Sequence, residues 1–169
     1  MLPAAQALMA ELDQEADTTR RILARVPGDR LEWRPHQKSM SLGQLAQHIA
    51  TIPGSIARLG ALDGFDAAQA RFEPAMPDSA EALMPTLDAS LESMRALLGG
   101  LTETTAHAPW RFTHGDREVF TVARLGLIRS LAMNHWYHHR GQLTVYLRLL
   151  DVPVPVIYGR SADDNPFAS

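Results

Sequence analysis

Four segments of the sequence carry apolar residues at the spacing of an amphipathic helix, and this pattern constrains the fold more than any other feature. In each segment the apolar residues recur every three or four positions, so they share one face of the predicted helix. Helices with one apolar face bury it against each other, so the sequence predicts an all-α four-helix bundle. The predicted helices span residues 3–26, about 41–59, about 78–100 and about 118–150.

Polar residues near the predicted helix starts carry capping signals. Ser41 is followed three residues later by Gln44, which is the pattern of a capping box at the start of the second helix. Asp78 and Glu81 predict a similar cap for the third helix. Pro53 lies inside the second helix, where proline is expected to kink the helix or split it.

The segments between the predicted helices are expected to be loops. The joins over residues 27–41 and 60–77 are long enough for connections that are not tight turns. Residues 110–120 hold two short apolar runs around Gly115-Asp116, but the Asp-Gly order of a tight hairpin is reversed, and a loop is predicted. Residues 161–167 are predicted to be an irregular tail, and the lack of a composition break predicts a single domain over residues 1–169.

Composition excludes several classes of function. The net charge is −3, and the 16 lysines and arginines are spread along the 169 residues, so no nucleic-acid or anionic-membrane partner is expected. No apolar run approaches the roughly 20 residues of a membrane span, and no secretory signal is visible, so a cytoplasmic protein is expected. The chain has no cysteine, which excludes a disulfide, a thiolate metal ligand and a cysteine nucleophile.

Two histidines one helical turn apart lie in the last predicted helix. His135 and His139 are separated by four residues, so both side chains leave the same face. That face also carries a predicted apolar stripe, which directs the histidine pair towards a core. The stripe consists of Ile128, Leu131, Ala132, Leu143, Tyr146, Leu149 and Leu150.

A third histidine occupies the apolar face of the second predicted helix. His48 follows Leu45 by three residues and precedes Ile52 by four, so it also points inward. Three imidazoles from two helices give a metal ion three protein ligands and leave a position for water or substrate, as in catalytic zinc sites. The alternative is that each histidine is a core residue with its own hydrogen-bond partner. One metal ion would satisfy all three rings together, so a metal site of His48, His135 and His139 is predicted.

Of the other polar residues near the histidine pair, only Gln142 is expected to contact the metal site. Gln142 lies close to His135 on the helical wheel, where it would contact a ligand ring or bound water, although a solvated polar residue at the bundle edge is an equal alternative. Arg140 points away from the metal face, and His138 is excluded as a ligand by its angle. His36, His107 and His114 fall in predicted loops and are expected to be solvated.

The histidine motifs resemble those of the DinB-like (DinB/YfiT) family of metal-dependent proteins. The resemblance rests on His48 within Ser-Leu-Gly-Gln-Leu-Ala-Gln-His and on the run His-His-Arg-Gly-Gln-Leu that ends at Leu143. The Trp33-Arg34-Pro35 loop and the stretch over residues 149–159 are also similar. The resemblance therefore covers most of the chain.

The resemblance implies further properties that the residues alone do not give. It implies an up-down-down-up four-helix bundle with one divalent ion, Ni²⁺ or Zn²⁺, held by the residues matching His48, His135 and His139. It also implies a homodimer. Trp136, Tyr137, Val145 and Leu147 lie off the metal face, where they would be isolated surface residues or be covered by other helices or a second subunit. The resemblance favours the second subunit.

Three classes of function follow for a three-histidine site. Some members of the family act on low-molecular-weight thiols, so the first is a metal-dependent enzyme that activates a small thiol for S-transfer. The second is a hydrolase with a metal-activated water. The third is a metal-binding stress protein without turnover. No acidic residue lies between Glu118 and Asp151, so the ligand pair lacks a neighbouring general base, and this favours a nucleophile activated by the metal itself.

Overall fold

The protein is described from a computed structural model that covers residues 1–70, 73–165 and Phe167. Most of this part of the chain is helical. The helices are α1 (Pro3–Leu23), α2 (Leu42–Gly60), α3 (Leu83–Gly100), α4 (Glu103–His107), α5 (Arg124–Leu127) and α6 (His135–Leu149). The strands are β1 (Gly64–Asp66), β2 (Pro109–His114) and β3 (Arg117–Ala123). Single 3-10 turns lie at Gly28–Arg30 and Ala67–Gln69.

The four long helices enclose the core. Helix α1 contacts α3 and α6, and α2 contacts the same two helices from the other side. Each helix turns its apolar stripe inward, so aliphatic side chains from all four meet in one continuous cluster. Its fully buried members include Leu12, Ile22, Leu45, Ile49, Leu87, Leu91, Leu143 and Leu147.

A small sheet lies beside the helices, so the prediction of an all-α fold is wrong. Strand β1 pairs in parallel with β2, and β2 pairs antiparallel with β3. The loop predicted over residues 110–120 is this β2–β3 hairpin, whose turn uses Gly115 at a positive φ of 59°. Phe112 and Phe120 face each other across the hairpin with ring centroids 5.1 Å apart. Such aromatic cross-strand pairs stabilise a strand pairing even without the preferred turn sequence.

The last predicted helix is shorter than expected because its first residues form β3. Val119, Phe120, Thr121 and Val122 are β-branched or aromatic, which favours an extended strand when a partner is present. The helix begins at Arg124, and residues Ile128–Asn134 form a π-helix that runs directly into α6. The buried Arg124 guanidinium donates to the Gly60 and Thr105 carbonyls. It therefore holds the C-terminal end of α2 against the first residue of α5.

The other sequence predictions on helix ends and loops have mixed outcomes. The Ser41–Gln44 capping box is present, but α3 begins at Leu83 after an N-cap without a side-chain bond, so the predicted Asp78–Glu81 cap is wrong. Helix α2 runs through Pro53 without splitting. The join over residues 60–77 contains β1, and its residues 71 and 72 lie outside the described residues. The tail is irregular over residues 161–165, and residues 166, 168 and 169 are also outside them.

The most deeply buried stripe of α6 differs from the predicted one. It consists of Trp136, Arg140, Leu143 and Leu147, which are all within 1% of full burial. This stripe is rotated by about 100° from the line of His135, so the His135 ring lies at the side of the core rather than in its centre. Of the alternatives for Trp136 and Leu147, the structure supports cover by other helices. The inward placement of Leu149 is wrong, because Leu149 is 58% exposed. In the residues described, we find no helix with the length and apolarity of a membrane span.

Candidate metal centre

Three histidines from two helices converge at one point between α2 and α6. The Nε2 atom of His135 lies 3.4 Å from that of His48 and 2.6 Å from that of His139. One ring nitrogen from each residue falls within 4.8 Å of the other two, which is a spacing that one metal ion can span. The set is the one predicted from the sequence. His139 is buried and the other two are half-buried, so the cluster lies at the edge of the core.

The π-helix before α6 orients the His135 ring. The backbone N–H of His135 bonds the carbonyls of Ser130 and Ala132 and bypasses that of Leu131, which an ordinary α-helix would use. The backbone of Leu131 instead hydrogen-bonds the His135 ring. Because Nε2 faces the other histidines, this bond uses Nδ1. The ring is thereby held with Nε2 directed into the cluster.

Gln142 orients the ring of His139, the second histidine that α6 contributes to the cluster. Its Oε1 atom lies 2.7 Å from Nδ1 of His139, one turn further along the helix. The amide oxygen accepts a hydrogen bond, so Nδ1 carries the proton and Nε2 of His139 is left with a lone pair. Metal-bound histidines usually donate their second ring N–H to such a carbonyl, amide or carboxylate. The sequence placed Gln142 near His135, whereas the structure pairs it with His139.

Burial keeps the three rings neutral. Burial, with a smaller effect of the neighbouring His139 and His135 rings, lowers the pKa of His48 to about 4. Burial also lowers the pKa of His135, with a smaller opposing effect of its bond to the Leu131 backbone. The pKa of His139 is lowered by burial as well, and the bond to Gln142 partly opposes this. Neutral imidazole is the form that binds a metal ion.

The protonation pattern of the cluster fits a bound cation. The bonds to Leu131 and Gln142 favour the tautomers of His135 and His139 that carry the proton on Nδ1, and in these tautomers the two Nε2 lone pairs face each other at 2.6 Å. Two lone pairs at this distance repel unless a positive charge lies between them, and the lowered pKa values make a proton a poor candidate at neutral pH. A tetrahedral ion with Zn–N bonds of about 2.0–2.1 Å separates its ligand nitrogens by about 3.3 Å. The 3.4 Å between the Nε2 atoms of His48 and His135 matches that separation, whereas the 2.6 Å between those of His135 and His139 is shorter.

The remaining histidines lie away from the cluster centre. His138 is exposed and contacts His139 only ring to ring, with centroids 4.9 Å apart. His36, His107 and His114 are also exposed, although His107 ends α4 and His114 ends β2 rather than lying in loops. Arg140 points away from the histidines and forms a buried ion pair with Glu15 of α1. The same carboxylate accepts a hydrogen bond from Tyr158 of the tail.

Two contributions to the site escaped the sequence analysis. The Leu131 carbonyl was missed because it depends on the π-helix, for which the sequence offers no signal that we recognise. Trp136 was predicted only to lie off the metal face, yet its indole N–H donates to the carbonyl of Ile49, the residue after His48. A proline four residues after Ile49 is a signal for this bond, because Pro53 cannot supply the usual helical donor.

The fold and the cluster define a mostly helical protein with a three-histidine site between two of its long helices. The sequence profile of the DinB family matches residues 1–165, and the chain belongs to this family. No protein of curated function gives a significant match. The family assignment agrees with the resemblance carried by the histidine motifs.

Three solved structures resemble the chain over most of its length. A DinB-like protein (YjoA) from Bacillus subtilis has a TM-score of 0.65 at 23% identity, covering 88% of this chain and 96% of its own. A DinB-like protein from Bacillus cereus has a TM-score of 0.63 at 22% identity, covering 85% and 91%. A proposed DinB family member from Exiguobacterium sibiricum has a TM-score of 0.66 at 27% identity, covering 92% and 97%. These likenesses show that the chain has a DinB-like fold.

Proposed function

We propose that the protein binds one divalent metal ion, Ni²⁺ or Zn²⁺, through Nε2 of His48, His135 and His139. We further propose that it uses the ion to activate a small thiol for S-transfer. The observation that carries the metal site is the convergence of three neutral Nε2 atoms, two of them with Nδ1 already bonded to Leu131 or Gln142. We also propose that the four long helices form the single up-down-down-up bundle domain that the resemblance implies.

A bound divalent ion with three histidine ligands supplies a Lewis acid with an open position, which lowers the pKa of a thiol or a water that occupies it. The chain supplies the neutral ligand set and the hydrogen bonds that aim it. Two carboxylates of α1 are already engaged, because Glu15 pairs with Arg140 and Glu11 accepts a hydrogen bond from Tyr137. This arrangement supports a thiol more than a water as the nucleophile, since a thiol loses its proton without a strong general base.

In the proposed reaction the thiol releases its proton to solvent, and its sulfur then forms a bond to an electrophilic carbon of the second substrate. The bond from that carbon to a halide or to the epoxide oxygen breaks, and that atom keeps the bonding electron pair. A halide leaves as the anion, whereas the epoxide oxygen stays on the product and takes a proton from solvent. Because the chain has no cysteine, the sulfur must come from a free thiol rather than from the protein. The substrate class is therefore a low-molecular-weight thiol together with an electrophile such as an epoxide or an activated aryl halide.

A conjugation assay tests this proposal. The protein loaded with Ni²⁺ or Zn²⁺ is incubated with bacillithiol or cysteine and an activated aryl halide, and thioether formation is followed. We expect thioether only when metal and thiol are both present, and none from the chelator-treated protein or from His135→Ala. Thiol-independent but metal-dependent turnover of esters would instead identify a hydrolase. Metal binding without turnover over a panel of electrophiles and esters would identify a non-catalytic metal-binding protein.

The homodimer also remains a proposal, with a different contact surface. Trp136 and Leu147 are buried within their own chain, so neither contacts a second subunit. Val145 and Leu149 of α6 are 57% and 58% exposed, and two apolar residues four positions apart on one helix face support a contact there. Light scattering should give about 37 kDa, twice the 18.6 kDa chain mass. A mass of one chain at micromolar concentration would contradict the dimer.

A further inference from the structure

A carbonyl in the middle of α2 is bonded by a side chain of α6. Pro53 lies inside α2 and has no N–H, so the carbonyl of Ile49, four residues earlier, lacks its helical donor. A buried carbonyl without a partner is costly, so the oxygen needs a donor from elsewhere. The indole Nε1–H of Trp136 donates to it at 2.9 Å, and the Trp136 side chain is fully buried.

This hydrogen bond lies directly beside the histidine cluster. Ile49 is the residue after His48, and Trp136 is the residue after His135, so the bond joins the chain neighbours of ligands on two different helices. A hydrogen bond requires a definite distance and direction. This one therefore constrains both the distance between α2 and α6 and the position of one helix along the axis of the other. The Nε2 atoms of His48 and His135 lie 3.4 Å apart beside this bond.

Helix α2 also forms a hydrogen bond to α3, at the residue after the proline. The backbone N–H of Gly54, the residue after Pro53, donates to Oγ of Ser90 in α3 at 2.6 Å. An added Cβ on Gly54 would lie 3.0 Å from the Ser90 backbone, so α2 and α3 are in close contact here. Helix α2 is therefore bonded to α6 at Ile49, beside the cluster, and to α3 at Gly54, five residues further along.

We propose that Trp136 and Pro53 are positioning residues of the metal centre. Pro53 leaves the Ile49 carbonyl without a helical N–H donor, and the indole N–H of Trp136 takes that place. This hydrogen bond sets the distance between the ligands contributed by α2 and α6. The inference rests on the proposed metal binding by the three histidines. Metal sites require ligands held to within about 0.5 Å, so a change in the distance between the helices should lower the metal affinity more than it lowers the stability of the fold.

Three variants separate positioning from simple stability. Trp136→Phe removes the indole donor and keeps an aromatic ring, Pro53→Ala gives the Ile49 carbonyl a helical N–H donor, and the third variant combines both. The measurements are Ni²⁺ affinity by competition with a chromophoric chelator, the visible spectrum of the Co²⁺-loaded protein, and thermal unfolding of the metal-free protein. Each is made on the full chain.

We expect Trp136→Phe to lower the Ni²⁺ affinity at least tenfold, as for other residues that support metal ligands, and to lower the melting temperature. In the double variant the backbone N–H introduced by Pro53→Ala satisfies the Ile49 carbonyl, so the melting temperature should rise again. The affinity should stay low and the Co²⁺ spectrum altered, because the contact between α2 and α6 is still missing. If Trp136→Phe alone does not fold, the double variant is compared with Pro53→Ala, in which Trp136 can still donate to the second lone pair of the Ile49 carbonyl. We then expect weaker Ni²⁺ binding in the double variant than in Pro53→Ala.

Trp110→Phe is the matched control. Trp110 is also fully buried and its Nε1–H donates to the carbonyl of Leu59, but it lies at the far end of α2. This variant should lose stability and keep its Ni²⁺ affinity. The proposal is overturned if the affinity recovers together with the melting temperature in the double variant, or if Trp136→Phe binds Ni²⁺ as tightly as the wild type. A wild-type protein that binds no metal would instead refute the proposed function itself.

Discussion

At the scale of single residues, the candidate site depends on the second ring nitrogen of the two histidines of α6. His135 and His139 have side-chain flexibility, and an unbonded imidazole can flip to present either nitrogen. The Leu131 backbone and the Gln142 amide remove this freedom by holding the two Nδ1 atoms. The cluster is therefore arranged for a ligand before any ligand arrives, which reduces the cost of binding.

Gln142 provides the most accessible test of this arrangement. It is exposed, so replacing it should not disturb the core. We expect Gln142→Leu to lower the affinity for Zn²⁺ or Ni²⁺ about 10- to 100-fold, because His139 loses the acceptor that orients it. Chelator competition measures the change. Gln142→Glu retains an acceptor and should restore most of the affinity, and His138→Ala should leave it unchanged. Equal affinities for Gln142→Leu and the wild type would contradict the role of Gln142.

The buried ion pair of Arg140 and Glu15 has a structural role. The two side chains are 1% and 6% exposed and directly bonded, and Thr19 and Tyr158 complete the network. Arg140→Met should destabilise the protein by about 3–5 kcal/mol, because Glu15 is left as an unpaired buried charge. Denaturant unfolding measures the loss. The exposed pair of Arg95 and Asp13 is the control, and Arg95→Met should cost about 1 kcal/mol or less. Similar losses in both variants would contradict this account.

At the scale of elements, α2 and α3 pack closely because the side chains at their point of contact are small. Gly54 lies against Ser90, and the contact places backbone beside backbone. Such packing is sensitive to a single added carbon, since neither helix backbone can yield as a flexible side chain can. Helix α6 contains Gly141, which in contrast has open space around it.

The two glycines should respond in opposite ways to alanine. Alanine is a better helix former than glycine by about 0.5–1 kcal/mol, so Gly141→Ala should stabilise the protein by about that amount. In Gly54→Ala the new Cβ would lie 3.0 Å from Ser90, and we expect a net loss of about 1–3 kcal/mol from overpacking. Denaturant unfolding of the two variants measures whether the free energy of unfolding rises or falls in each. A stabilised Gly54→Ala would show that α2 and α3 are not in close contact.

The helical elements were predictable from sequence, while the sheet was not. Apolar residues at helical spacing located all four long helices, and Ser41 with Gln44 located the start of α2. The β2–β3 hairpin was missed because its turn lacks the preferred Asp-Gly order, and its stability comes from Phe112 and Phe120, which face each other only once the strands pair. Local patterns cannot report such a contact between strands.

At the scale of the whole molecule, the three candidate ligands could be predicted but their surroundings could not. The spacing of His135 and His139 follows from helix geometry alone, and His48 from its own apolar face. The π-helix changes the register before His135, and packing of α6 on α2 rotates the buried stripe towards Trp136. Neither the π-helix nor the burial of Trp136 follows from the spacing of apolar residues. The bond of Leu131 therefore became visible only in the structure, while Pro53 is the one sequence signal for the bond of Trp136.

The central claim is that the three-histidine cluster of this DinB family protein binds one divalent metal ion. Elemental analysis of the purified full chain, dialysed after loading with Ni²⁺ or Zn²⁺, tests it most directly. We predict one ion per chain for the wild type and for His138→Ala, and nearly none for a folded His48→Ala, His135→Ala double variant. Circular dichroism confirms that the double variant keeps its helices. Retention of one ion per chain in that double variant would contradict the claim.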